Sequence, residues 1–548
     1  MTCLAVASLL FAILAVASGH TPQQALLRRT SAEAEASEVP PPSETGNQTT
    51  TEESDGSHEH VSVTPLRCDL SVLEGKRRLQ GDIIIDETCE VPPLESHLAA
   101  LETVEGSITV RDTVFESNFT VSFPKLREVR GREGQGGNIE VFNNAGLEIL
   151  SFETLERVNG SVKVGDWTNG NPSLRLLLLP LLKSTGGDLG IQSNAALMFL
   201  SLPALTNTGG NFSVWNNYGL MTVSLPVLQS IGGYFYFFSN YAVTSLSLPA
   251  LNTTEGYFQV AYNDALISLS LPALKSTGGH VFRVAFNRIL TSVSLPALKY
   301  TGGQLFSIFD NRSLKRLSFP ALSSTQGGVW IQSNTGLKSL SFPALKSTGG
   351  YFRVSSNDAL QSLPLPVLTS TGRFFRVSSN HALTNLTLPV LNSTGGYFHV
   401  SSHRDLTSLS APSLNATEGD VELTGNSLLE TLSFPSLSSV RGTFTVGHDL
   451  WGRTDPNPSL QSLRIPSLQQ VKGNFVVKDN EALSELILGA CSEEEGGDGR
   501  GQCGSSDAPS LSVEGTVDVQ AVGEGGTSVS SVSALLAAYG GVSADRDT

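Results

Sequence analysis

Several features are missing from this 548-residue chain, and each absence removes a class of protein. No stretch reaches eighteen consecutive apolar residues, so no membrane-spanning helix is expected. Cysteine occurs only five times. There is no Cys-x-x-Cys and no histidine beside a cysteine, which argues against a zinc site. The nine histidines are scattered, and neither a Ser-His-Asp arrangement nor a metal-ligand spacing stands out. Gly-Gly pairs are frequent but lie in turns rather than at strand-to-helix junctions, so no phosphate loop is indicated. A helical apolar stripe is absent throughout the long middle of the chain. Aromatic residues are absent from 21–64, a stretch rich in Glu, Ser, Thr and Pro. Such a segment cannot bury enough apolar surface to offset its ordering entropy and reads as a disordered spacer.

What is present points to export. An apolar run over 4–17 ends in small residues and reads as a secretory signal peptide cleaved near 17–19. Once Cys3 leaves with it, Cys68, Cys89, Cys491 and Cys503 remain, one pair near each end. Three connectivities are possible. The local one, Cys68–Cys89 with Cys491–Cys503, suits a chain that needs both ends sealed, and a secreted setting allows it. Nine Asn-x-Ser/Thr sequons occur, at Asn47, Asn118, Asn159, Asn211, Asn252, Asn311, Asn385, Asn392 and Asn415. In a eukaryote they would make this a glycoprotein. The net charge of −16 sits mostly at the ends, because 183–430 holds 14 Lys and Arg against 10 Asp and Glu. The tail ends in charge and makes a poor lipid-anchor signal.

Self-similarity dominates the remainder. About sixteen copies of a 23-residue unit run from Leu101 to Leu488, and from Pro180 to Pro435 every proline-to-proline step is 23 or 24 residues. A fixed period in this range marks a solenoid. In one unit, Gly349-Gly350 opens the turn, with freedom for positive φ. Phe352 and Val354 then alternate as the inward residues of a short strand. Asn357 follows, then a Leu-rich second strand closed by Pro366. Stacking such coils sets Phe over Phe and Leu over Leu, and seventeen coils at strand spacing give a rod roughly 80 Å long. The Asn column is nearly complete, from Asn144 to Asn480, with His403 as the exception. Asn at a turn can take left-handed geometry and bond nearby backbone, and stacked amides can bond one another. The column therefore reads as structural, with Asn311 a sequon facing the wrong way.

Cys68, the strand at 81–85, Cys89, and Leu101-x-x-Val104-x-Gly106-x-Ile108-x-Val110 resemble the opening of a receptor L domain, the module of the ligand-binding lobes of insulin and epidermal growth factor receptors. The rhythm that continues to Leu488 is similar to L-domain-like repeats of fungal cell-wall organisation and sporulation surface proteins. The leucine-rich repeat of bacterial and protist surface antigens has a similar period. These resemblances imply a right-handed parallel β-solenoid and an extracellular, non-catalytic role. Receptor L domains are shorter and paired, with cysteine-rich modules between them, whereas this repeat runs uninterrupted.

Outward strand positions carry an aromatic and cationic ribbon: Trp215, Tyr234, Tyr236, Tyr257, Arg283, Trp330, Tyr351, Arg353, Phe374, Arg376, Tyr397 and His399. Exposed rings beside Arg fit a platform for sugar rings or a protein partner. The same ribbon also fits cross-strand stacking that reinforces the sheet. Insertions at 165–174 and 447–460 each carry a Trp, Trp167 and Trp451, and end in Asn-Pro-Ser-Leu. They are either contact loops or bulges. Carbohydrate-active β-helix enzymes need clustered carboxylates, and the outward strand positions between Asn211 and Tyr397 are nearly free of acids.

The sequence thus predicts an all-β parallel solenoid of about 23-residue coils with disulfide-closed caps. Its expected divisions are a signal peptide (1–19), spacer (20–67), N-terminal cap (68–98), solenoid (99–490), and C-terminal cap and tail (491–548). The expected role is a secreted or cell-surface module binding a glycan or extracellular protein, without cofactor, metal or nucleic acid. A structural wall or matrix protein is the alternative, and a carbohydrate-active enzyme the remote one. Peptide mapping of the secreted protein should find Cys491 joined to Cys503; a link from either to Cys68 or Cys89 would discard the sealed-end scheme.

Overall fold

A computed structural model describes residues 60–62, 65–93, 95–115, 118–132, 136–448, 454–488, 512–513 and 516–519. The expected signal peptide, most of the spacer, Cys491, Cys503 and the loop around Trp451 lie outside these residues. Among the described residues no helix is long and apolar enough to cross a membrane.

Among the described residues every strand pairing is parallel, and each coil contributes one strand to each of two 19-stranded sheets. One sheet is built from two-residue strands such as Ser347–Thr348. The other is built mainly from four-residue strands such as Phe352–Ser355. A third face carries shorter sheets, exemplified by Ser339–Ser341, which break and resume along the rod. Like stacks on like: Phe352 pairs with Phe375, Val354 with Val377, and Ser347 with Ser370. Among the described residues helix is limited to Glu95–Leu98 and a single 3-10 turn at Ser71–Leu73.

The inward residues form one continuous column of core. Phe212, Phe235, Phe258, Phe282 and Phe306 stack at centroid distances of 5.5, 4.8, 4.8 and 5.0 Å. Leu337, Leu340, Phe342, Leu345, Phe352 and Val354 of one coil are all fully buried. A single coil has no second layer against which to bury these side chains. Its neighbours above and below supply one, as in any solenoid.

The corners depart from expectation in an instructive way. The Gly-Gly pairs are not held at positive φ. A Cβ on Gly349 would lie 2.1 Å from the Gln326 carbonyl oxygen, and one on Gly372 would lie 2.1 Å from that of Gly349. At these two positions the neighbouring backbone comes too close for a side chain, whereas Glu255 and Gln326 hold side chains at the same corner of their coils. The left-handed residue is instead the one just before the Asn column, as at Ser333, Ser356 and Ser379, with φ of 53°, 55° and 55°. Pro343 sits at the second position of a four-residue turn closed by Leu345 N–H donating to Phe342 O at 3.4 Å, where its fixed φ is favourable.

The Asn column is a buried hydrogen-bonded ladder. Asn334 Nδ2 donates to Ile308 O at 2.9 Å and to Asn357 Oδ1 at 3.2 Å, and Asn334 N–H donates to the same Oδ1 at 3.1 Å. The pattern repeats along the rod, and Thr113 begins it with its hydroxyl on Asn144 Oδ1 at 2.9 Å. His403 keeps one rung, accepting Asn380 N–H on Nδ1 at 3.1 Å, but its Nε2 has no partner. Burial lowers the His403 imidazole to about 3.

The ends extend further than the sequence suggested. His60–Ser62 pairs with Arg78–Gln80, and Leu66–Arg67 with Ile83–Ile85, so the first coil begins within the expected spacer and the cap is itself solenoid. Ser512–Val513 and Val517–Val519 add a final coil within the expected tail, pairing with Gln470–Val471 and Phe475–Lys478. Cys68 and Cys89 form a disulfide with Cα atoms 5.0 Å apart. Beside it Arg67 pairs with buried Asp86 at 3.1 Å.

Two stability predictions follow from the ladder. Asn334→Ala removes both acceptor and donor from a buried rung, leaving Ile308 O and Asn311 N–H unsatisfied. Denaturant titration should show a loss of about 1–3 kcal/mol; no loss would mean the rung is dispensable. His403 gives the chain an acid sensitivity. Its folded pKa lies below the unfolded value of about 6.5, so the unfolded state binds a proton that the native state refuses. Stability from this group is complete above about pH 6.5 and falls as pH drops toward 3, by about 1.4 kcal/mol per unit. His403→Asn should restore the rungs, gain about 1 kcal/mol at pH 7 and gain more at pH 4.5. Equal effects at both pH values would contradict this account.

Candidate functional site

The four-residue strands place their outward side chains in columns one coil apart, so neighbouring rings meet face to face. Tyr351, Phe374 and Tyr397 stack at 4.7 and 4.4 Å with interplanar angles of 1° and 5°. Phe309 stacks on Trp330 at 5.2 Å. Arg353 lies over the Trp330 ring at 5.5 Å, and Arg283 over Phe309 at 5.7 Å. Tyr234 meets Tyr257 edge-on at 5.0 Å and Tyr236 at 5.5 Å. Arg376 pairs along the sheet with Arg353 and His399, and its Nε donates to Ser378 Oγ at 3.2 Å. His399 places Nε2 2.5 Å from Ser401 Oγ and Nδ1 3.4 Å from Glu422. Burial, and then the Arg376 charge, lower its pKa to about 4, so the ring is neutral at physiological pH.

The sequence placed these residues on an exposed ribbon, and the structure corrects that. Trp215 is only 2% exposed. Trp167 of the first insertion covers it at 4.1 Å, and Phe238 stacks on it at 5.4 Å. The other eleven are half-buried. Within a stack each ring covers its neighbour, so edges and hydroxyls face solvent while the faces are consumed. An end ring has one face that no other ring covers, and Trp167 is 73% exposed.

One such end borders a groove. Its lining includes Tyr351, Arg373, Glu255, His280, Gln304 and Gln326 over a floor of glycine backbone, and its volume is about 840 Å³. The cause is a residue count. The two 24-residue steps, Pro272 to Pro296 and Pro296 to Pro320, carry their extra residue at this corner. Gly349-Gly350-Tyr351-Phe352 becomes Gly278-Gly279-His280-Val281-Phe282 and Gly302-Gly303-Gln304-Leu305-Phe306. The strands there are correspondingly longer, Val281–Ala285 and Leu305–Phe309. The ring stack stops at Tyr351, whose second face packs over Gly328, where a Cβ would lie 3.0 Å from the ring, so Tyr351 turns its edge and hydroxyl to the groove.

Sequence reasoning missed a second set of rings. Tyr218 and Tyr241, each just after a ladder Asn, are exposed and stack at 5.2 Å. Tyr262 and Phe286, each just before one, stack at 4.7 Å with φ of 56°. A ring in the left-handed position costs about 1–2 kcal/mol. Their signal in the sequence is the residue flanking each ladder Asn, outside the strand positions.

Of the sequons, Asn118, Asn159, Asn385, Asn392 and Asn415 are exposed, Asn211 and Asn252 are half-buried, and Asn311, expected to face inward, is fully buried in the ladder. Asn47 lies outside the described residues. Among the described residues, the one group of three His, Cys, Asp or Glu ligands close enough to hold a metal is Cys68, Asp86 and Cys89. Both sulfurs there are committed to the disulfide.

No curated protein matches the chain in sequence. Among solved structures, a leucine-rich repeat protein from Bacteroides ovatus is 16% identical, covering 76% of this chain and 97% of that one, with a TM-score of 0.32. A TLR13–ssRNA13 complex is 13% identical over 77% of this chain and 72% of that one, with a TM-score of 0.14. The stretch 77–177 matches the model of the receptor L domain, the family that the chain's first cysteines and strands resemble.

Proposed function

We propose that this protein is a secreted or cell-surface, non-catalytic binding module whose ligand, a glycan or an extracellular protein, lies across the four-residue strand face and its glycine corner. The groove ending at Tyr351 carries this reading. It joins an aromatic wall to Glu, Gln, His and Arg side chains on a rigid backbone floor, which is the composition of a site that orients a ligand by a few polar groups. Tyr and Arg are also the residues that most often dominate binding energy. The receptor L-domain match at 77–177 and the disulfide agree with an extracellular setting.

A structural wall or matrix role is the second reading, favoured by one observation: most of the ring faces are spent on one another. Stacked pairs of this kind each add about 0.5–1.5 kcal/mol to a sheet. A combined Tyr351→Ser, Phe374→Ser and Tyr397→Ser variant separates the two. It should melt lower but remain folded, and a partner found by glycan-array and receptor-ectodomain screening of the wild type should lose at least tenfold in affinity. Unchanged affinity in the folded variant would make the stack reinforcement alone.

A further inference from the structure

The whole chain is acidic, yet its middle is not. Between 265 and 404 there are 13 Lys and Arg and only two acids, Asp310 and Asp358. The state of these cations matters more than their number. Toward the ends of the rod, cations are paired: Arg77 with Glu102, Lys183 with Glu156, Arg441 with Glu418, and Arg464 with Glu485. Among the described residues of the middle section, Arg288 alone has a carboxylate partner, Asp264 at 3.7 Å. The rest form no ion pair and so leave an unbalanced positive field about six coils long, roughly 30 Å.

Part of this field lies just before the groove's glycine corner in the chain. Lys275, Lys299 and Lys346 occupy one column, linked coil to coil by Lys275 N–H on Asn252 O, Lys299 N–H on Lys275 O, and Lys346 N–H on Ser323 O, at 2.8 to 3.0 Å. All three are exposed and lie three residues before the glycine corner that floors the groove. Arg373 lines the groove itself, and Glu255, the one carboxylate of the lining, stands at the opposite end. The same column carries the sequons Asn252 and Asn392, with none between them. Glycans attached there would bracket the groove and leave it open.

We infer that the groove binds a linear anionic polysaccharide, held by the Lys275–Lys299–Lys346 column and Arg373, with Tyr351 closing one end. This rests on the binding-module reading and names its ligand class. The lining extends from Glu255 to Arg373, five coil steps or about 24 Å, which suits an extended chain of about four or five sugars. Each step approximates the length of one pyranose unit, so successive coils can meet successive carboxylates or sulfates. Single-stranded nucleic acid would need free ring faces for its bases, and the stacks here have spent theirs.

The test is titration calorimetry on the full secreted protein. The probes are a sulfated heparin-type hexasaccharide, an oligogalacturonate hexamer, a neutral β-glucan hexamer, polyglutamate and a single-stranded oligonucleotide. At least one acidic hexasaccharide should bind, more weakly as salt rises, and K275E/K299E/K346E should lose at least tenfold. The matching Lys→Gln triple should lose less. Neutral and acidic hexamers binding alike, the Lys→Glu triple binding as the wild type does, polyglutamate or oligonucleotide binding as tightly, or no acidic hexamer binding would each overturn the inference. None of these touches the binding-module reading, which stands or falls on a partner whose affinity depends on the Tyr351 stack.

Discussion

A backbone turning a sharp corner inside a protein cannot reach water, and here the same corner recurs in coil after coil. The Asn ladder answers that constraint. Each amide donates from its nitrogen to a carbonyl of an earlier coil and accepts on its oxygen the N–H of the coil before it. Since every rung engages the coils around it, the ladder fixes register as well as satisfying polar groups. A slip of one residue would bring Ser356 or Asp358 to the rung of Asn357 and turn each strand inside out. The phenylalanine column, the ring stacks and the lysine column are aligned because the ladder permits one alignment.

Much of this was legible because a repeat reports the same physics many times. Phe352 and Val354 as inward residues, the Asn column as structure, and Asn311 as a buried sequon all follow from periodicity, and the coordinates agree. The disulfide at Cys68–Cys89 was foreseen from position alone. The corners were not legible. Gly349 resembles a residue chosen for φ, because glycine serves both conformational freedom and close approach, and a sequence cannot tell them apart. Only the distance to Gln326 O decides. Trp215 was misplaced for a related reason. Strand alternation gives the direction in which a side chain points, but not what folds over it, and Trp167 comes from a loop outside the repeat.

Candidate-site reasoning had a similar limit. Alternation put the rings of Tyr351, Phe374 and Tyr397 on the outer surface, and they are there. It could not show that a spacing near 4.7 Å turns neighbouring rings into one another's solvent shield. The groove, by contrast, had a signature in plain view. Two successive proline steps are 24 residues where the others around them are 23, and both surplus residues emerge at one corner.

That origin sets the groove apart from a cavity carved by side chains. It behaves like a dislocation in a crystal: a miscount in two adjacent layers, with regular lattice on either side. Duplicating or deleting a coil elsewhere would carry the groove along the rod without altering its shape. Changing which coils hold the surplus residue would open it at a new height. A lineage that varies coil number thus has a means of repositioning a recognition site relative to either end of the rod while every buried contact that makes the rod stays the same.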